Sequence, residues 1–251
     1  MEFTLFDGER IDEVNDKLRL IQKENGLTFG TDALLLASYV RGVSEFGLEL
    51  GGGTGIISML LLTREKLKKC VCAEIQESFA SLIERNAALN RLSDRLISSN
   101  TDIRELKGGE KYDLVFTNPP YMRSGNGKRN TTDEKNSARH EENGTIVDFL
   151  LSASRSLKFG GSFYAVYRPD RTADLIFAMR EAKIEPKRMT LVYANSHSEP
   201  SMLLVEGKKG GKSGMKMTAP LIIYADGSNK TYGEDMEYIM ERGSFPEKFL
   251  P

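Results

Sequence analysis

The chain has 251 residues, 28% of them charged and 39% hydrophobic, and a net charge of −1; it is long enough for one sizeable core with additions. That balance excludes a global basic field, so a nucleic-acid partner would have to be held by local patches. No stretch approaches the roughly 18 apolar residues of a membrane span, and the Met1-Glu2-Phe3-Thr4-Leu5 start lacks the features of a signal peptide, so a cytoplasmic protein is expected.

Residues 1–30 mix acids, bases and short apolar runs and predict a small extended appendage, with a strand-like run at Leu18-Arg19-Leu20-Ile21-Gln22. The main domain is expected over 31–251. It opens on Ala33 to Val40, an all-round apolar run that reads as a buried helix with Thr31 or Asp32 as its cap. A strand–helix rhythm follows: strands at Phe46 to Leu50, Lys69 to Ile75, Arg95 to Ser98, Tyr112 to Thr117 and Gly161 to Val166. Helices fall at Ile56 to Leu62, Ser78 to Leu89, Thr145 to Leu157 and Asp170 to Ala182. Met189 to Tyr193 and Ser201 to Glu206 read as a closing antiparallel pair, joined by a loop holding His197 and Pro200. Pro220 to Tyr224 and Gly233 to Met240 suggest a last strand and a short helix. This alternation predicts an α/β fold, a mostly parallel sheet covered on both faces. Cys70 and Cys72 share one face of a strand, and no second cysteine pair completes a zinc site; they are expected to be buried small hydrophobes, with no metal bound.

Two segments break the rhythm. Residues 123–143 form a long polar stretch with charges of both signs, read as a lid or an insert beside a site. Residues 207–218 are basic and glycine-rich, with no acid from Lys208 to Lys216; they are read as a hairpin between strands or as a phosphate-touching patch.

Glu49-Leu50-Gly51-Gly52-Gly53-Thr54-Gly55 lies where the first sheet strand meets its helix. Its spacing fails the G-x-G-x-x-G dinucleotide fingerprint, and no Gly-Lys-Ser/Thr follows, so it is not a phosphate loop. The pattern is acid-x-Gly-x-Gly-x-Gly, in which glycines admit a ligand close to backbone and Glu49 can offset an ammonium group. Glu74 ends the second strand, about 20 residues on, where a carboxylate reaches ribose hydroxyls. Asp102 follows the third strand and can accept from an adenine amine, with Ile75 and Ile103 as apolar walls. Each acid alone could be a helix cap; three of them after successive strands, with the glycine loop, imply S-adenosylmethionine.

The fourth strand runs into Asn118-Pro119-Pro120-Tyr121. The prolines end it and hold Asn118 and Pro119 extended. The loop then offers the Asn118 amide oxygen, the Pro119 carbonyl and the Tyr121 ring, which suit a flat molecule carrying an NH2 group. Ligands of doubly wound sheets bind beyond the carboxyl ends of strands where strand order reverses. A reversal between the first and fourth strands would make the two motifs neighbours.

These residues resemble class I S-adenosylmethionine-dependent methyltransferases of the Asn-Pro-Pro-Tyr branch. More narrowly, Phe29-Gly30-Thr31-Asp32-Ala33, Ala73-Glu74-Ile75-Gln76, Arg85-Asn86-Ala87-Ala88-Leu89-Asn90, Ala138-Arg139-His140-Glu141 and Tyr167-Arg168-Pro169-Asp170-Arg171 are similar to bacterial tRNA(Val) adenine-N6 methyltransferases. The resemblance implies a Rossmann-like seven-stranded sheet with one antiparallel strand. It implies S-adenosylmethionine held by Thr31, Asp32, Glu49, Gly51, Gly53, Gly55, Glu74, Ile75, Asp102, Ile103 and Asn118. Asn118, Pro119 and Tyr121 would be catalytic, and Pro120, Tyr121, Arg139, His140, Arg168 and Arg171 would meet an RNA substrate, a tRNA. Two other readings stay open: a protein glutamine N5-methyltransferase, which grips the same amide geometry, and a non-catalytic module that binds RNA or S-adenosylmethionine. Glutamine-modifying relatives carry a longer helical N-terminal domain, whereas only about 45 residues precede the glycine loop here.

Overall fold

In the computed structural model, residues 4–24, 30–119, 144–227 and 229–250 are described. The chain starts as an antiparallel hairpin of β1 (Glu9–Asn15) and β2 (Leu18–Lys23). Then come α1 (Thr31–Tyr39), β3 (Ser44–Leu50), α2 (Ile56–Thr63), β4 (Leu67–Glu74), α3 (Glu77–Leu89) and β5 (Leu96–Asn100). A 3-10 turn at Ile103–Glu105 leads to β6 (Tyr112–Thr117), α4 (Ile146–Ser156) and β7 (Leu157–Tyr167). After a second 3-10 turn at Pro169–Arg171 follow α5 (Thr172–Glu181), β8 (Ile184–Tyr193) and β9 (Pro200–Lys209). The short strands β10 (Lys216–Met217) and β11 (Leu221–Ile222), then α6 (Glu234–Arg242), lead to the carboxyl end.

The long strands of the main sheet lie in the order β5-β4-β3-β6-β7-β9-β8, with β10 and β11 on the outer side of β8. β9 runs against β7 and β8, and every other pairing in this sheet is parallel. The expected α/β sheet with one reversed strand is therefore present, widened at one edge by two two-residue strands. Consecutive residues of each strand point to opposite faces. In β3, Leu48 and Leu50 enter the apolar layer under α4 and α5, while Glu49 points the other way, into the layer beneath α2.

The helix starts follow local chemistry. At α4, Thr145 Oγ1 accepts from Asp148 N at 3.3 Å and Asp148 Oδ2 accepts from Thr145 N at 2.8 Å, a reciprocal capping box. α1 departs from expectation: Gly30 is its N-cap, with no side-chain cap, and neither Thr31 nor Asp32 plays that part. The far end of α1 is anchored instead. Lys66 Nζ donates to the carbonyls of Ala37, Ser38 and Val40 at 3.2, 3.0 and 2.7 Å, and Arg188 donates to the Tyr39 carbonyl at 2.7 Å.

Arg188 also explains why β8 begins earlier than its apolar pattern predicts. It is fully buried, with its guanidinium 3.7 Å from the Tyr39 ring centroid and its Nε 2.8 Å from the Glu206 carboxylate of β9. A charged residue on the inward face hides the strand from a hydrophobic scan. The basic segment after β9 is not a hairpin: it passes around the start of β8 and pairs there as β10, parallel, on the side away from β9. Lys187 Nζ holds it in place by donating to the carbonyls of Lys212 and Gly214 at 3.0 and 2.8 Å.

Candidate active site

Strand order reverses between β3 and β6, which lie side by side with Leu50 paired to Thr117. The glycine loop and Asn118 therefore leave the sheet as neighbours. Thr117 Oγ1 donates to the Leu50 carbonyl at 2.7 Å and ties the two strand ends together.

The loop after β3 is shaped from below and from the side. Gly51, Gly53 and Gly55 take left-handed φ values of 71°, 55° and 80°, with Gly55 at the N-cap of α2. Gly52 is required for a different reason: a Cβ there would sit 1.9 Å from Cys72 Sγ. A Cβ on Gly53 would meet nothing within 4 Å, so the loop presents bare backbone to an open side. Glu74 is buried at the end of β4; one oxygen accepts from Gly53 N and the other from Gln76 N, both at 2.9 Å. Each oxygen keeps further acceptor capacity for ribose hydroxyls.

Glu49 lies deeper than the sequence implies. It is 1% exposed, and its Oε2 accepts from Ser58 N at 3.1 Å, from Ser58 Oγ and from Cys72 Sγ at 3.5 Å. Burial dominates over these bonds and pushes its carboxyl up to about 7. Asp102 accepts from Arg104 N at 2.8 Å and pairs with the Arg104 guanidinium at 2.5 Å, which holds its carboxyl below the usual range. Ile75 is exposed and Ile103 is buried.

On the other side of the reversal, Asn118 Nδ2 donates to Asp32 Oδ2 at 2.9 Å. Only the NH2 end of an amide can donate to a carboxylate, so this bond fixes the amide's rotation. The opposite end, Oδ1, is buried and has no hydrogen-bond partner among the described residues. A buried orphan acceptor costs about 1–3 kcal/mol and calls for a partner. Asp32, assigned above to the cofactor, thus also clamps Asn118. Its other oxygen accepts from Ala33 N at 2.9 Å.

Arg168 and Arg171 follow β7 on the same rim. Each is paired with an acid, Arg168 with Asp170 at 2.5 Å and Arg171 with Asp174 at 2.8 Å. Pro120, Tyr121, Arg139 and His140 lie outside the described residues. The sequence reading missed the work of Asn86 on α3 and of Asn90, its C-cap. Asn86 Oδ1 accepts from Ile21 N at 2.7 Å, and its Nδ2 donates to Ile21 O at 3.2 Å and Thr54 O at 3.1 Å. Asn90 Oδ1 accepts from Arg19 N at 2.9 Å, and its Nδ2 donates to Arg19 O at 2.7 Å. The pair fastens the outer edge of β2 to α3, and Asn86 fastens the glycine loop as well. The asparagine spacing was visible, but its partners were not.

The reversed strand, the glycine loop and the clamped Asn118 amide meet at one switch point, as expected of a methyltransferase. The model of the methyltransferase small domain family matches residues 23–182, and the chain belongs to that family. The tRNA1(Val) (adenine(37)-N6)-methyltransferase of Porphyromonas gingivalis strain W83 is 29% identical over 188 residues, which cover 70% of this chain and 72% of that protein. The protein of the same name from Bacteroides thetaiotaomicron is 27% identical over 180 residues, covering 70% and 74%. Among solved structures, a predicted O-methyltransferase from Agrobacterium tumefaciens superposes with a TM-score of 0.70 at 23% identity, over 86% of this chain and 98% of that one. TYW2 from M. jannaschii, solved with AdoMet, gives 0.57 at 12% identity over 82% and 87%. Both share the fold. Among the described residues, no helix is long and apolar enough to cross a membrane.

The family uses S-adenosylmethionine, and this site fits it. The open backbone at Gly53, the Glu74 carboxylate, Ile75 and Ile103 would hold its nucleoside, beside the buried Asn118 oxygen that has no partner among the described residues.

Proposed function

We propose that this chain methylates the exocyclic N6 amine of an adenine in tRNA, in the cytoplasm. The observation that carries the reading is the Asn118 amide, gripped at Nδ2 by Asp32 with its buried Oδ1 left as an acceptor. The curated relatives carry the name of an enzyme with that substrate.

S-adenosylmethionine, held by Gly51, Gly53, Gly55, Glu74, Ile75, Asp102 and Ile103 with Thr31 and Asp32, supplies an electrophilic methyl group. The residues of the chain do the rest. An adenine amine is a poor nucleophile because its lone pair is delocalised into the ring. Asn118 Oδ1 accepts one of its hydrogens and the Pro119 carbonyl the other. That draws the nitrogen toward tetrahedral geometry and aims the lone pair across the switch point. Tyr121 would stack on the base beside Pro120; such stacking is worth about 1–3 kcal/mol, similar to the few kcal/mol needed to unstack a base. Arg168 and Arg171, with Arg139 and His140, meet the RNA backbone. Alignment of this kind carries much of the acceleration, and the proton can leave after transfer, so no tuned base is required.

The test is transfer from labelled S-adenosylmethionine into unmodified tRNA and into protein extract, with each product digested. Label in N6-methyladenosine is expected, and Asn118→Ala should abolish it while cofactor affinity stays within a few-fold. Label in glutamine, or full activity in Asn118→Ala, would overturn the reading.

A further inference from the structure

The basic stretch after β9 lies far from the reacting end of the sheet. Lys209, the last residue of β9, pairs with Ile184, the first of β8. Because β8 is parallel to β7, that pairing marks the amino pole, opposite the rim where Asn118 sits. β8 is 10 residues long, so at about 3.3 Å per residue the two poles stand about 30 Å apart.

Chain order fixes a compact basic surface at this pole. Gly210 N donates to the Lys183 carbonyl at 2.9 Å, which brings the start of the basic stretch against the end of α5. An open recess of about 310 Å³ there is lined by Arg180, Lys183, Glu185, Gly210 and Gly211. Glu185 is paired with Arg180 at 3.2 Å. Lys183, Lys208 and Lys212 have no carboxylate partner among the described residues. Phe159 of β7 is 77% exposed, and its ring lies against Gly210, where an added Cβ would come within 2.1 Å of it. The Lys187 bonds to the Lys212 and Gly214 carbonyls hold the stretch in shape before anything binds.

Uncompensated ammonium groups beside an exposed ring are the complement of a phosphodiester chain with stacking bases. On a chain whose net charge is −1, such a local surface is what attraction of a polyanion requires. We propose that the amino pole, built from Lys183, Lys208, Lys212 and Phe159, is a second RNA-binding surface. It holds the backbone of a structured RNA about 30 Å from the base presented at Asn118. This rests on the reading of the chain as an RNA methyltransferase. Its consequence is a length requirement: an RNA helix that spans less than about 30 Å along its axis does not reach both surfaces.

The test compares full-length tRNA transcript with a five-base-pair stem-loop carrying the target adenine, for wild type, Phe159→Ala and the triple variant Lys183→Glu/Lys208→Glu/Lys212→Glu. Anisotropy titrations over a range of KCl give affinity and salt slope, with S-adenosylmethionine affinity and kcat as controls for an intact site. The triple variant is expected to bind the full transcript at least ten-fold more weakly with a salt slope reduced by about 2, since each phosphate contact contributes about 0.7–0.9. Phe159→Ala should weaken full-length binding several-fold. In both, stem-loop binding, cofactor affinity and kcat should stay unchanged. Equal affinity and slope for the full transcript in all three proteins, or an equal loss on the stem-loop, overturns the proposal. Methylation of the full transcript with the same KM in wild type and both variants sinks this surface alone. Wild type that binds the transcript through these residues yet methylates no RNA sinks the functional reading and leaves the surface standing.

Discussion

Glu49→Gln should stabilise the protein at alkaline pH and leave it nearly unchanged at acid pH. The carboxyl is fully buried beneath α2, and its pKa rises from an ordinary 4.5 to about 7 because desolvation outweighs the Ser58 and Cys72 bonds. A shift of that size corresponds to about 3 kcal/mol between the two protonation states. Below pH 4.5 both folded and unfolded chains carry the proton, and the native state keeps the full contribution. As pH rises toward 7 the unfolded chain releases the proton first, so stability falls, and above about pH 8 the loss is complete. Glutamine mimics the protonated acid: its oxygen can accept from Ser58 N and Oγ and from Cys72 Sγ, and it does not ionise. The variant should therefore match wild type within about 1 kcal/mol at pH 4.5 and exceed it by up to about 3 kcal/mol at pH 8.5, or about 6–12 °C in Tm for a chain of this size. Urea titrations without cofactor, from pH 4.5 to 8.5, measure this, and taking the difference between the two proteins cancels every other titrating group. A difference that stays constant with pH would refute the reasoning.

Asp32→Ala should lower kcat by about 10²-fold while the Asn118 side chain remains present, because the amide is then free to rotate; an unchanged kcat would show that the clamp is idle. Gly52→Ala should destabilise the fold by about 1–3 kcal/mol through its clash with Cys72 Sγ. Adding Cys72→Ala should recover most of that loss in a double-mutant denaturation cycle, and strictly additive effects would disprove the contact. Asn86→Leu should remove the bonds to Ile21 and Thr54 at about 2–3 kcal/mol and open residues 4–24 to limited proteolysis; resistance equal to wild type would count against the docking role.

The parts of this site that the sequence disclosed are those set by local rules. Glycines after a strand, acids after successive strands and an Asn-Pro turn each announce themselves within a few residues. Short apolar runs also located β3, β4 and β6, most of whose buried residues are apolar. What stayed hidden depended on contacts between distant residues. Asp32 and Asn118 are 86 residues apart, and nothing near either one indicates that the first clamps the second. Asp32 looked like a cap because acids before helices usually are, yet Gly30 is the N-cap of α1, and the Asp32 carboxylate accepts from Asn118. Arg188 misled in the opposite way. A lone charge in a strand reads as solvent-facing, whereas Glu206, the Tyr39 ring and the carbonyls of Tyr39 and Phe249 together make its burial tolerable. The basic stretch was legible as charge but not as topology, because whether a strand returns beside its predecessor or beyond the next strand is decided by sheet order.

The buried bonds around the switch point share one logic. Thr117 ties β6 to β3, Glu74 ties β4 to the glycine loop, Asn86 ties α3 to the same loop, and Asp32 ties α1 to Asn118. Each uses a side chain from one segment to fix backbone or amide on another, so the cofactor cradle and the acceptor cannot shift independently. Methyl transfer to a weakly nucleophilic nitrogen needs such rigidity, since its lone pair must be aimed rather than merely brought near. At the switch point these clamps leave Asn118 Oδ1 buried with no hydrogen-bond partner among the described residues. An orphan acceptor weakens the fold by about 1–3 kcal/mol, and an arriving amine would satisfy it. That deficit turns amine binding into a source of free energy at the reacting centre, and a hydroxyl or methyl group in its place would release less of it.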